Sequence, residues 1–439
     1  MKRAFLIILL AGAFAQASAA ENWPRFRGPN GSGVVTDLKF PAEWSETNYR
    51  WKIDLPGIGH GSPVVWGDRI FLLAASEPPP APKRRKGKKA AAQKPKPAAA
   101  AKPQSWTPIC VSTKDGSVLW KQEIIAVDQK HKGHRFNSPA STTPAVDGKR
   151  VVFTWGTPEK LTMAAFSHEG EKLWQSDLGP ISGGHGFAAS PMLLGDLVIL
   201  NNDQEKGGGN LLALDANTGA VKWTVKRRSQ RISYSVPCVF ESDGRQLLAF
   251  VNWQHGFTII DPKDGSVVAE KSVFNTDTNE RAISSPVVYK DLIIGTCGFT
   301  ANPKHCVAMR LNGTELEEVW RIERNVPHIP SLIVIGDRAY LWDDAGIVTC
   351  VQAATGEEIW KDRVPGVEGK CFGSPVSDGE KIFCIDESGK VNVIAVADEL
   401  KHLATNELGE LCRTTPAIGD GAMFVRTYGK LMAVKGAGN

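Results

Sequence analysis

The sequence predicts an all-β fold, an eight-bladed β-propeller of four-stranded antiparallel blades closed by a strand near the N-terminus. Three observations predict it. A phrase of nearly constant length recurs, so that Pro144, Pro191, Pro237 and Pro286 lie 47, 46 and 49 residues apart, the period of a four-stranded blade. Within each copy, β-rich runs are separated by Gly-Asp, Asp-Gly or Asn-Thr-Gly turns, which supply the positive φ of tight hairpins. The two ends of the chain read as complementary pieces of one repeat.

Most copies open on a Ser/Thr-Pro step, continue through three runs rich in Val, Ile and Leu, and often end on a Trp. The first extends from Ser62 to Trp120, the second from Thr143 to Trp174, and the third, the cleanest, from Ser190 to Trp223. The fourth starts at Val236 and has Ala269 in place of the Trp, while the fifth and sixth run from Ser285 to Trp320 and from Ser331 to Trp360. A seventh opens at Ser374 and loses the pattern over residues 393–404, and an eighth opens at Thr415 and ends after three strands. Residues 49–55 read as the missing outer strand, so the two termini should complete one blade and leave no long free edge. The strands are apolar on both faces because each blade is sandwiched between two others. Trp120, Trp174, Trp223, Trp320 and Trp360 read as wedges between blades, each ring covering apolar area while its N–H finds a backbone partner.

The composition, 42% hydrophobic and 23% charged with 43 Gly, 27 Pro and 13 Trp, suits short strands and turns. Residues 1–20 read as a signal peptide: Lys2 and Arg3, an apolar run from Ala4 to Ala15, then the small-x-small pattern of Ala17 and Ala19. That run is too short for a bilayer, which needs about 20 apolar residues, and no other stretch predicts a membrane span. Residues 21–439 read as one domain, and its expected location is the periplasm or another extracytoplasmic space. Residues 77–105 interrupt the first repeat with nine Lys or Arg against one Glu. Their Pro, Ala and Lys composition predicts a disordered insert, projecting where the outer hairpin of the first blade should be. It is a candidate tether to an anionic surface. Without insert and leader, the +5 of the whole chain becomes −5. Nucleic acid is excluded as a partner of an exported chain.

Eight cysteines in an oxidising space raise the question of disulfides. Cys297 and Cys306 flank a loop between two expected strands and are the candidate hairpin bridge. Cys371 and Cys412 hold equivalent places before Pro375 and Pro416, and Cys110, Cys238, Cys350 and Cys384 read as small buried apolar residues.

The pattern Ala213-x-Asp215-x-x-Thr218-Gly219-x-x-x-Trp223, with looser copies ending at Trp120, Trp174, Trp320 and Trp360, resembles the tryptophan-docking repeat of quinoprotein alcohol dehydrogenases, the PQQ-like family. The same repeat builds the propeller lipoprotein of the bacterial outer-membrane β-barrel assembly machinery, a scaffold. The opening Trp23-Pro24-x-Phe26-Arg27-Gly28-Pro29 is similar to the start of a large group of exported bacterial propellers of this type. A quinoprotein relative implies pyrroloquinoline quinone (PQQ) and calcium in the channel, but the paired cysteines that cover that cofactor are missing here. The assembly relative implies a lipid-anchored cysteine, which is missing as well. No zinc-protease, phosphate-loop or serine-hydrolase motif is present, and no metal site or catalytic residue is assigned.

In a propeller, the connection leading into each innermost strand lies at one mouth of the channel. Upstream of those strands stand His60, His185, Arg231 with Tyr234, Arg281, His328 and Arg413, with His134 and Arg135 slightly further upstream in the second repeat. They predict a basic, titratable ring that binds an anionic ligand or an extracytoplasmic acidic protein segment. The plain alternative is a set of solvated loop residues. The expected function is a non-catalytic binding scaffold; the alternative is a quinoprotein-type oxidoreductase.

Overall fold

The computed structural model describes residues 22–76, 104–126, 133–157, 159–206, 208–275, 277, 280–299 and 304–437. The leader, residues 1–20, and residues 77–103 of the basic insert lie outside the described residues. Among the described residues no helix is long and apolar enough to cross a membrane.

Eight antiparallel sheets form the propeller. Blade 3 shows the plan, with Met192–Leu194 innermost, then Leu197–Asp203, Gly209–Asp215 and Val221–Lys226 outermost. Blade 7, whose sequence breaks the pattern, has the same four strands, from Val376–Ser377 through Lys381–Ile385 and Lys390–Ala395 to His402–Glu407. Its buried Val391 and Val393 keep the alternation that the third strand needs. Blade 8 closes the ring: Tyr49–Asp54 adds to Lys430–Lys435 as the outer strand, with Tyr49 opposite Val434 and Asp54 opposite Lys430.

The interfaces between blades follow one rule. A β-bulge recurs where the third strand meets the fourth, and it sets the Trp opposite a small residue: Trp120 faces Cys110, Trp174 faces Ala165, Trp223 faces Ala213, Trp320 faces Ala308, and Trp360 faces Cys350. Each indole N–H then donates to a carbonyl of the next blade, at His168, Ala216, Pro262, Ala353 and Ala397 respectively. Trp51 does the same across the closure, donating to Thr113 at 2.8 Å. For every one of them but Trp360, the ring lies on a glycine of that next turn. Gly219 has φ 73°, and a Cβ there would sit 2.5 Å from the Trp174 ring, so position and conformation both demand glycine. Where Ala269 replaces the Trp, Gly313 of the following turn has nothing over it.

Two expectations are corrected. Cys297 and Cys306 are free thiols. Cys297 pairs with His305 and Cys306 with Thr296, so with a period of two their side chains leave opposite faces of blade 5. One packs toward blade 4 and the other toward blade 6. The basic insert also stands elsewhere than expected. It joins the second and third strands of blade 1, Arg69–Ala75 and Gln104–Ser112, not the outer hairpin. Gln104 and Ser105 belong to the strand and are buried.

Residues 22–44 run across the face opposite the expected mouth. Asn22–Trp23 pairs with Val64–Trp66 of blade 1, and Pro24 accepts from Val146 of blade 2. Asn30 exchanges two hydrogen bonds with Val239 of blade 4, and Gly33 and Val35 bracket Ser377 of blade 7. The segment therefore crosses the end of the channel and floors it before reaching blade 8.

Candidate functional site

The channel wall begins with the Ser/Thr-Pro steps. The backbone N–H of each step residue donates to the hydroxyl of the next blade's step. Ser62 donates to Thr143, Thr143 to Ser190, Val236 to Ser285, Ser285 to Ser331, Ser331 to Ser374, Ser374 to Thr415, and Thr415 back to Ser62, all at 2.9–3.0 Å. One link of this girdle is missing, between Ser190 and Val236, because valine has no hydroxyl. Proline suits the following position because the innermost strand has no partner on its channel side to receive an N–H. Among the described residues, no hydrogen bond uses Ser62, Thr143, Ser190, Ser331, Ser374 or Thr415 as a hydroxyl donor, and all six line the channel. Their O–H groups are available to a ligand.

Above the girdle the channel widens into a cavity of about 400 Å³. Phe26 of the crossing segment lines it from the floor, and Phe136, Phe299 and Phe372 line it higher up. His60, His134, His185, Tyr234, Arg281, His328 and Arg413 all line it, with Lys370. The rings form a connected set. His134 stacks on His185 at 4.8 Å between centroids, and Phe136 lies 5.1 Å from Phe372. Arg413 sits over both phenylalanines at 5.1 and 5.0 Å, positions suited to cation–π attraction.

The two lining arginines are held from behind. Arg281 donates to Glu205 at 3.2 Å and to His185 Nδ1 at 3.4 Å. Arg413 donates to Glu387 at 3.2 Å, to the carbonyl of Arg135 at 3.2 Å, and to His60 Nε2 at 3.4 Å. Both carboxylates stand outside the lining, which contains no Asp or Glu. Burial opposes ionisation of Glu205, but the Gly184 N–H and the Arg281 side chain hold its carboxyl below the usual range.

The histidines are not cations at neutral pH. Burial, then the charges of Arg413 and Arg426, pull His60 down to about 3. Burial pulls His328 down to about 4, against the pull of Asp344. Burial and neighbouring arginines also lower His134 and His185. The expectation of imidazoles titrating near neutrality is thereby corrected, since a mouth that already holds arginines in partly dry surroundings refuses further positive charge. Tyr234 is raised by burial, and its hydroxyl donates to Gly186 at 2.7 Å.

Two residues of the expected ring stand back from the cavity. Arg135 is exposed, its guanidinium 4.7 Å from the Phe136 ring centre, and Arg231 turns toward Glu205 at 3.9 Å. The sequence reading missed Phe136, Phe299, Lys370, Phe372, the hydroxyls and Phe26. Lys370 and Phe372 lie just before the Ser374-Pro375 step, so the same positional signal marked them. Phe299 follows the second strand of blade 5, and connections of that kind open on the same mouth; Glu205 and Glu387 occupy the equivalent loops of blades 3 and 7.

Comparison with known proteins agrees with this architecture. A family model of these repeats, described as "Outer membrane protein assembly factor BamB", matches residues 108–362 and 271–438, together most of the chain. The crystal structure of BamB from Moraxella catarrhalis superposes with a TM-score of 0.57 at 15% identity, covering 88% of this chain and 98% of that one. The computationally designed Ika8 protein gives 0.54 at 10% identity, covering 87% and 98%. A europium-containing methanol dehydrogenase gives 0.50 at 10% identity, covering 94% and 91%. At such identities the likeness is one of fold. A search of curated protein sequences finds no match.

Proposed function

The chain belongs to the family described as outer membrane protein assembly factor BamB, and from that premise we propose that it is a non-catalytic, extracytoplasmic binding propeller whose floored channel takes an anionic ligand. One observation carries this reading: a cavity of about 400 Å³ lined by Arg281, Arg413, Lys370, four neutral histidines and six hydroxyls free to donate, without a carboxylate. Cations in a recess with low-dielectric walls concentrate anions. The arginines are preorganised by Glu205 and Glu387, so little side-chain freedom is lost on binding. Phe136, Phe299 and Phe372 favour a ligand with a planar or aromatic body. The basic, apolar and small-x-small order of residues 2–19 supports export, and the location follows from it.

The quinoprotein alternative fits the residues less well. Calcium takes six to eight oxygen ligands, usually including carboxylates. The channel offers hydroxyls and Asn137, and Glu205 and Glu387, behind it, are engaged by arginines. Among the described residues no group of three or more His, Cys, Asp or Glu is placed to hold a metal ion.

The test is calorimetric titration of the mature protein at low salt with benzene polycarboxylates and with PQQ, each with and without calcium, beside a dye-reduction assay. Saturable binding that weakens tenfold or more in Arg281→Ala and Arg413→Ala supports the reading. Absence of binding by every anion, or equal binding by both variants, would sink it. Calcium-dependent PQQ binding with dye reduction would restore the alternative.

A further inference from the structure

Two arginines of the crossing segment take no part in the site above. Arg27 is wholly buried, and Arg25 is 5% exposed. Arg27 also has a left-handed backbone, φ 62°, a conformation that residues with a Cβ keep only where the surroundings impose it. This backbone directs a charged side chain inward, the reverse of the usual preference for arginine.

Once inside, the side chain finds little. Arg27 Nη2 donates to the Ser32 carbonyl at 3.2 Å, while Nε and Nη1 have no partner. Arg25 donates to the Met192 sulfur and, at 2.7 Å, to the Pro237 carbonyl, and its Nε has no partner. Among the described residues, neither forms an ion pair with a carboxylate, and the neighbouring charge that acts on Arg27 is that of Arg25. A guanidinium stays protonated in proteins, so the charge cannot be shed by titration. Burying it unmatched costs far more than a lost hydrogen bond. Gly31 and Gly33 pack directly against these groups: a Cβ at Gly31 would stand 2.9 Å from Arg25 Nη2, and one at Gly33 would stand 2.8 Å from Arg27 Nη2, so the backbone of the crossing segment wraps the two guanidiniums closely.

We propose that the floor of the channel holds a small inorganic anion, a halide or an oxyanion, against the unpartnered N–H groups of Arg27, with Arg25 supplying the second positive charge. The ion is a resident of the fold and is distinct from the ligand of the mouth, so it stands or falls independently of the function proposed above. It allows residues 22–44 to carry two charges through an apolar floor and fixes Phe26 between them.

The experiment follows thermal unfolding of the mature protein in gluconate buffer at constant ionic strength, with chloride, bromide, sulfate or phosphate replacing gluconate. A saturable rise in midpoint is expected with halides or with oxyanions, and the responding series identifies the class. Arg27→Gln should abolish that response. Because this variant risks misfolding, wild-type crystals grown with bromide or with selenate provide a second readout, an anomalous peak within hydrogen-bonding distance of Arg27. No anion response in the wild type, a response that persists in Arg27→Gln, or no peak beside Arg27 from either anion overturns the proposal and leaves water as the partner.

Discussion

The outer and inner rings of this propeller are built on opposite logics. In the outer ring one solution is repeated: Trp51, Trp120, Trp174, Trp223, Trp320 and Trp360 each donate an indole N–H to the next blade, five of them onto a glycine of its turn. At the channel mouth the blades diverge: blades 1, 2, 3 and 6 bring His60, His134, His185 and His328, blade 4 brings Tyr234, blade 5 brings Arg281 and Phe299, blade 7 brings Lys370 and Phe372, and blade 8 brings Arg413. Repetition is what a ring of like interfaces requires, because each blade must satisfy the same neighbour. Variation is what a single ligand requires, because an asymmetric molecule meets each blade differently. The girdle of hydroxyls lies between these regimes, repeated at every link except the one before Val236.

The comparison is broken most forcefully from the outside. Trp174→Ala removes a ring that is 8% exposed, its bond to Ala216, and the cover over Gly219. A loss of about 3–5 kcal/mol is expected for such a truncation, read as a lower urea midpoint, with mouth ligand affinity unchanged in the protein that remains folded. A loss below about 1 kcal/mol would mean that the ring closes without its wedges, as it already does beside Ala269.

Acid attacks the inner ring next. Unfolded histidine takes up a proton near pH 6.5, whereas His60 and His328 resist until about 3 and about 4. Between these limits the unfolded chain binds more protons, so stability rises with pH. The contribution of both residues is complete above pH 6.5 and is lost as pH falls toward 4, at a slope of about 1 kcal/mol per pH unit for each. Denaturant midpoints at intervals from pH 8 to 4 should show this slope, made shallower in His328→Gln. Ligand affinity should stay flat from pH 8 to 7, since the mouth histidines are neutral throughout. A steep rise in anion affinity over that interval would show that the imidazoles carry charge after all.

These two tests divide what could be read in the sequence from what could not. Trp223 and Gly219 were legible because the interface that selects them recurs and writes itself as a period. Trp51 belonged to the same set and was missed because its glycine, Gly116, lies 65 residues further along the chain. The mouth was legible only by position. Counting back from each Ser/Thr-Pro step found His60, Arg281 and Arg413, but the second loop that each blade sends to the mouth carries no such marker, and Phe299, Glu205 and Glu387 were lost with it. The Cys297–Cys306 bridge failed on parity. Proximity in sequence suggested a bond, but their positions in the ladder direct the thiols to opposite faces.

Arg413→Ala is the sharper probe of the mouth alone. It removes two cation–π contacts and frees Glu387 to repel an anion, while its girdle neighbour Thr415 keeps its bond to Ser62. Anion affinity should fall by about 1.5–3 kcal/mol, the range for hydrogen bonds to charged groups, with a thermal midpoint close to that of the wild type. Calorimetry separates the two quantities. A fall in stability without a fall in affinity would assign Arg413 to the structural ring.

The finest distinction lies at the break in the girdle. Val236→Thr keeps the branched shape and offers Ser190 the hydroxyl that Thr143 and Thr415 offer their own neighbours. The restored link contributes about 0.5–1.5 kcal/mol, offset by replacing a buried methyl worth about 0.8 kcal/mol. The expected result is a gain of no more than about 1 kcal/mol in the free protein, measured by urea unfolding. Val236 also lines the cavity, so the same change should weaken binding of an aromatic anion by a few-fold. A gain in stability with a loss in affinity would show that the girdle is interrupted for the ligand's sake. A gain in both would make the valine an ordinary imperfection of the repeat and return blade 4 to the structural ring.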